Sequence, residues 1–155
     1  MKRVLSFVLM LIFCVSAVSC AKKADEQGDT PYKLIISCHE IIQNLDSEKY
    51  AINEEKKEIV PEDGIVLEIN SKCSKGDTAY SVTVNALKNN KIHFEGSDGY
   101  LKAIANIYAG DCGDFSGWMF FINGNLAELG ANDTIINEND VIEFKYIVDY
   151  NTLFQ

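Results

Sequence analysis

The chain holds only two histidines, His39 and His93, and no C-x-x-C, H-x-x-x-H or G-x-S-x-G run. Those absences remove the usual sequence forms of a zinc site and of a serine hydrolase. A glycine-rich phosphate loop and a paired-acid motif are also missing. His93 sits between Ile92 and Phe94 and reads as structural or exposed, so no catalytic residue is assigned. Positive charge is scarce, with 14 Lys and Arg against 23 Asp and Glu, a net charge of −9. Such a balance repels nucleic acid and anionic lipid headgroups. Internal repeats, low-complexity tracts and long acidic runs are absent as well.

The first nineteen residues stand apart from the rest. Lys2 and Arg3 precede an apolar run from Val4 to Val15, followed by small residues, Ser16-Ala17-Val18-Ser19, and then Cys20. This is the pattern of a secretory signal, too short and wrongly flanked for a transmembrane helix. A small residue directly before a cysteine resembles the lipobox of bacterial lipoproteins, although Ala17 stands where that motif usually has Leu. The resemblance implies cleavage before Cys20, its lipidation, and an extracytoplasmic protein held at the membrane by the lipid alone. Loss of Lys2 and Arg3 would leave 12 basic against 23 acidic residues, a net charge of −11. Residues 21–31 have no apolar period and read as a tether. If flexible, its eleven residues span on the order of 18 Å. The remaining residues, 32–155, are enough for one domain with its own core.

Tyr32 to Cys38 reads as a strand, with Tyr32, Leu34, Ile36 and Cys38 on one face. His39 to Leu45 shifts to helical spacing, and residues 46–58 read as exposed. Pro61-Glu62-Asp63-Gly64 is a turn before a strand showing Ile65, Leu67 and Ile69 to the core. Asp77 or Thr78 can cap a helix over 79–89, with Tyr80, Val84 and Leu87 on one face. The β-branched run Val82-Thr83-Val84 opposes that helix. A short strand is expected at 91–95, a turn at 96–99, and an irregular strand at 100–108. Asn123-Gly124 is a strong hairpin signal. In the last strand, 141–148, Ile142, Phe144, Tyr146 and Val148 point one way, and Glu143 and Lys145 the other.

The segment 117–122, Gly-Trp-Met-Phe-Phe-Ile, breaks the alternation that the neighbouring strands obey. Trp118, Phe120 and Ile122 point one way, Met119 and Phe121 the other. Two readings stay open: a central strand packed on both faces, or an aromatic platform left partly open to a ligand. In the second, Trp118, Met119 and Phe121 contact the ligand, and Asn123 and Asn125 offer amide groups beside it.

Three blocks carry a family resemblance. Cys38 to Leu45 leads to Val60-Pro61-Glu62-Asp63-Gly64; Lys75-Gly76-Asp77-Thr78 opens the helix; and Asp111 to Gly124 is followed by Asn139 to Tyr146. Together they resemble the DUF4430 domain of bacterial surface proteins, which is related to the C-terminal β-domain of transcobalamin and intrinsic factor. The resemblance implies a β-grasp-like fold and binding of cobalamin or another flat organic ligand, with no cofactor required. In the vitamin carriers an α-barrel domain supplies the other half of the site, and residues 32–155 leave no room for one.

Outside the cytoplasm a disulfide is the default for cysteine. Cys38 and Cys112 both lie in family-like blocks and are the expected pair, while Cys73, in a Lys/Ser/Gly loop, stays free. No metal site is assigned. Cys38, His39 and Cys112 would offer soft ligands, but neighbours on a strand point to opposite faces. Asp111 and Asp114, or Asn132 and Asp133, lack a calcium-loop pattern. The expectation is therefore a small single α+β domain, with a mixed or antiparallel sheet and one or two helices. It would act as a lipid-anchored binding module for a small organic ligand. The alternatives are a surface protein-interaction module and a metal-binding domain.

Overall fold

The computed structural model describes residues 28–50 and 52–154. The expected signal segment 1–19, the lipidation residue Cys20 and tether residues 21–27 lie outside them. Among the described residues no helix is long and apolar enough to cross a membrane.

Strand β1 (Thr30–Ser37) is central. It pairs antiparallel with β2 (Ile65–Cys73) and parallel with β8 (Asp140–Ile147). β8 in turn pairs antiparallel with β6 (Gly117–Ile122), whose other edge carries the short β7 (Asn125–Leu126). The order β2-β1-β8-β6-β7, with first and last strands parallel at the centre, is the expected mixed, β-grasp-like sheet. A second sheet of β3 (Phe94–Ser97), β4 (Tyr100–Ile104) and β5 (Ile107–Tyr108) is antiparallel. The helices are α1 (His39–Gln43), α2 (Glu54–Ile59) and α3 (Ala79–Asn89), and a 3₁₀ turn, Tyr150–Phe154, closes the described chain.

Period-two alternation drives β1 and β8. Tyr32, Leu34, Ile36, Ile142, Phe144 and Tyr146 are buried on one sheet face. Each large apolar side chain so buried contributes about 1.5–3 kcal/mol. Helix α3 packs its own apolar stripe on that face. Thr78 caps it through a reciprocal box: its Oγ1 accepts from the Ser81 amide at 3.2 Å, and Ser81 Oγ accepts from the Thr78 amide at 3.0 Å. The stripe is Ala79, Val82, Thr83, Ala86 and Leu87, not the predicted Tyr80–Val84–Leu87 line; Tyr80 and Val84 are half-buried. Small residues win these positions because they let the helix approach the sheet. Thr83 is tolerated inside because its hydroxyl donates to the Ala79 carbonyl at 2.7 Å.

Three two-residue hairpins shape the rest: Asp98-Gly99, Ala105-Asn106 and Asn123-Gly124, each with both φ values positive. This backbone matches the twist of the flanking strands. The Asn123-Gly124 hairpin was legible. The Ala105-Asn106 turn, which splits the expected strand 100–108 in two, was not, because alanine rarely adopts φ near +52°.

Other boundaries also differ from expectation. β1 begins at Thr30, inside the stretch expected as a tether; Pro31 fits because it precedes the parallel ladder that starts at Tyr32. The stretch 46–58 is not wholly exposed. Asn53 caps α2 by accepting from the Lys56 amide, and Lys56 forms a largely buried 2.8 Å ion pair with Asp111. β2 runs on to Cys73, which is a buried strand residue and not a loop residue. The expected strand at 91–95 begins only at Phe94 and extends to Ser97. Gly64 is bound to its conformation: φ is +68°, and a Cβ there would meet His39 Cδ2 at 2.7 Å.

Candidate functional site

Strand β6 divides the predicted site residues between two environments. Trp118 faces the core and is 5% exposed. Its indole N–H donates to the Ile107 carbonyl at 2.8 Å, and its ring meets Tyr146 edge-on at 5.3 Å. Phe120 stacks on Phe144 at 5.3 Å on the same side. Trp118 is thus a satisfied core residue, and the expected open aromatic platform around it is corrected: the second sheet covers the ring through β5.

Met119 and Phe121 point to the opposite, outer face. Register pairs Met119 with Lys145 and Phe121 with Glu143. Lys145 folds over the Phe121 ring, its Nζ 4.6 Å from the centroid, and also bonds Glu143 at 3.0 Å. A cation over a ring is attracted by the negative face of the π system. Phe121, flanked also by Glu143 of β8 and Leu126 of β7, is only 8% exposed, while Met119 is half-buried. An open recess of about 460 Å³ lies on the β1–β8 side of this pair; it is lined by their register partners Lys145 and Glu143 and not by Met119 or Phe121 themselves. Its lining includes Ile35 and Ser37 of β1, Glu68 of β2, Glu143 and Lys145 of β8, and His39 of α1. Apolar floor, one cation and several carboxylates therefore converge on one face.

Asn123 and Asn125 do not join that surface. The Asn123 amide nitrogen donates to Asp140 at 2.8 Å, and its carbonyl oxygen accepts from the Val141 amide at 2.9 Å. Both ends of the side chain are spent tying the hairpin to β8, which replaces the expected ligand role. Asn125 is exposed at the start of β7 and donates to the Asn123 carbonyl. Of the five predicted ligand residues, only Met119 and Phe121 lie together on the outer sheet face, Met119 half-buried and Phe121 buried. Lys145 went unrecognised as their partner. Alternation does mark Lys145 as outward, but its place over Phe121 depends on inter-strand register, which no local pattern carries.

The three described cysteines are free thiols, all buried. Burial pushes Cys38 up to about 12, with the Asp63 carboxylate and then Cys112 adding to the effect. Cys38 Sγ donates to the Gly64 carbonyl at 3.5 Å. Cys112 is raised by burial, opposed by its bond to the Tyr146 hydroxyl. Tyr146 also donates to the Tyr108 carbonyl at 2.8 Å and lies 2.9 Å from Ser116 Oγ. The expected partners Cys38 and Cys112 thus come within electrostatic reach of one another, unpaired in this structure. Cys73, raised by burial and then by Asp77, is separate. Among the described residues no three His, Cys, Asp or Glu side chains are grouped to hold a metal ion.

Residues 76–147, just under half of the chain, match DUF4430, a domain of unknown function. No curated protein matches the chain. Among solved structures, the fold is similar to that of a proposed metal binding protein from Ruminococcus gnavus ATCC 29149. The likeness covers 77% of this chain and 97% of that one, at 9% identity and a TM-score of 0.43. At that level it carries no argument about ligand or chemistry.

Proposed function

We propose that this chain is an extracytoplasmic binding module, anchored through Cys20, that holds a flat organic ligand on the outer face of its five-stranded sheet. The observation that supports it best is the recess lined by Ile35, Ile65, Glu143 and Lys145, whose β8 wall pairs with Met119 and Phe121 of β6. Apolar surface with a few placed polar groups is the usual composition of a ligand site. Ile35, Ile65 and Ile147 supply the apolar contact, and Met119, paired with Lys145, extends it at the margin. Lys145 would leave the Phe121 ring to meet an acidic group of the ligand. The module binds without catalysis and needs no cofactor of its own. Cobalamin is the first ligand to test, on the strength of the DUF4430 resemblance.

Calorimetric titration of the full chain, solubilised in nonionic detergent, with cobalamins and related corrinoids tests the reading. Saturable heat, lost in Met119→Asp, supports it; no heat with any corrinoid removes the cobalamin version. The openness of the recess favours a second reading, in which the same face docks a surface protein. Capture of a partner from membrane extracts by the wild-type chain but not by Met119→Asp would favour that reading over the first.

A further inference from the structure

A larger concavity lies elsewhere, between α3 and the Thr30–Cys73 end of the β1–β2 pair, and has a volume of about 840 Å³. Its floor is apolar: Tyr32, Ile69, Val82 and Ala86. Its walls are polar, with Lys72 from β2 on one side and Asn85, Lys88 and Asn89 from α3 on the other.

Charge sets this groove apart. The chain carries a net −9, and five of its described lysines (Lys33, Lys49, Lys56, Lys57 and Lys145) are paired with carboxylates. Lys72 and Lys88 have no carboxylate within 4.0 Å among the described residues. Lys75 and Lys91, also unpaired among the described residues, directly follow the groove residues Ser74 and Asn90 in the chain. The one carboxylate in the lining, Asp77, is engaged by the Ser74 amide at 2.9 Å. Of the five described lysines without a carboxylate partner, two line this groove, two more adjoin its lining residues in the chain, and only Lys102 lies apart. Asn85 and Asn89 stand one helical turn apart on its wall, and each offers both a donor and an acceptor. That pairing suits hydroxyl groups, which also need both.

We propose that this groove binds an anionic, hydroxylated small molecule, a sugar bearing carboxylate or phosphate. The acid group would sit between Lys72 and Lys88, which reach it from opposite walls, and the hydroxyls would meet Asn85 and Asn89. The volume lies within the range of small-molecule sites, and the polar walls are unlike the apolar centre of a protein interface. The site is independent of the outer sheet face, so neither proposal stands or falls with the other.

The test is amide-resolved NMR on the full chain in nonionic detergent, titrated with tri-galacturonate and glucose 6-phosphate, with maltotriose as the neutral control. Saturable shifts confined to residues 71–77 and 85–91 are expected with at least one acidic probe and not with maltotriose. The Lys72→Ala/Lys88→Ala double variant, folded by its own spectrum, should bind at least about tenfold more weakly, since charge-assisted hydrogen bonds are lost. Met119→Asp should leave this binding unchanged. The proposal is overturned by no saturable shift with either acid, by shifts mapping elsewhere, or by an unaltered affinity in the double variant. It is equally overturned if anionic phospholipid vesicles shift these residues while both soluble acids fail, because the groove would then be a membrane contact.

Discussion

Trp118 and Phe121 stand three residues apart on β6, both aromatic and both less than a tenth exposed, yet they are buried by different means. Trp118 lies under a second sheet, edge-on to Tyr146, with its N–H satisfied by Ile107. Phe121 lies under the Lys145 side chain, between Glu143 and Leu126 of the neighbouring strands, on a face that α1 borders at one end. The first kind of cover is part of the folding unit and opens only by unfolding. The second is a flexible side chain, whose removal costs one cation–π contact of about 0.5–1 kcal/mol at an exposed site. Hydrophobicity along a strand therefore does not locate a binding face; what lies above each residue does.

That contrast can be broken by mutation. Trp118→Ala should lower stability by about 3–5 kcal/mol, the usual range for deleting a buried aromatic. Urea unfolding followed by circular dichroism would measure it. A loss below 1 kcal/mol would mean that Trp118 is not the core residue described here.

An intermediate effect is expected from pH. The Cys38 thiol is held near 12 in the fold, against an ordinary value of 9.0. Its raised value means that the folded state keeps a proton the unfolded state gives up. The contribution is fully present below pH 9 and is lost as pH rises from 9 towards 12. Reduced protein should therefore show a Tm falling between pH 9 and 11, and Cys38→Ala should flatten that fall. If Cys38 and Cys112 form the expected disulfide, the oxidised protein lacks this slope, and non-reducing peptide mapping would find the pair with Cys73 left free.

The smallest effect belongs to the outer face. Met119→Ala should cost about 1 kcal/mol or less, because the side chain is half-buried and its site is open to water. A loss as large as that of Trp118→Ala would make the outer face structural and remove its claim to a ligand.

Much of the fold was legible residue by residue. The alternation in 32–38 and 141–148, the Thr78 cap before α3 and the Asn123-Gly124 turn are local signals, and each element stands where its signal lies. α2 was hidden because its residues, Glu-Glu-Lys-Lys-Glu-Ile, bury little; what gives it a tertiary role is the Lys56–Asp111 ion pair across the chain. The candidate site was legible only in part. Met119 and Phe121 could be placed opposite Trp118 by parity alone. Which side would be sealed could not, because parity does not say which face the second sheet will cover.

The sequence by itself determined which stretches alternate, where they turn and which residues share a face, since these follow from backbone geometry and side-chain period. Only the tertiary structure decided that Trp118 is sealed and Met119 is not, that Lys145 covers Phe121, and that Lys72 and Lys88 line one groove. Those facts depend on strand order, register and helix placement, and these are set by the packing of the whole core at once.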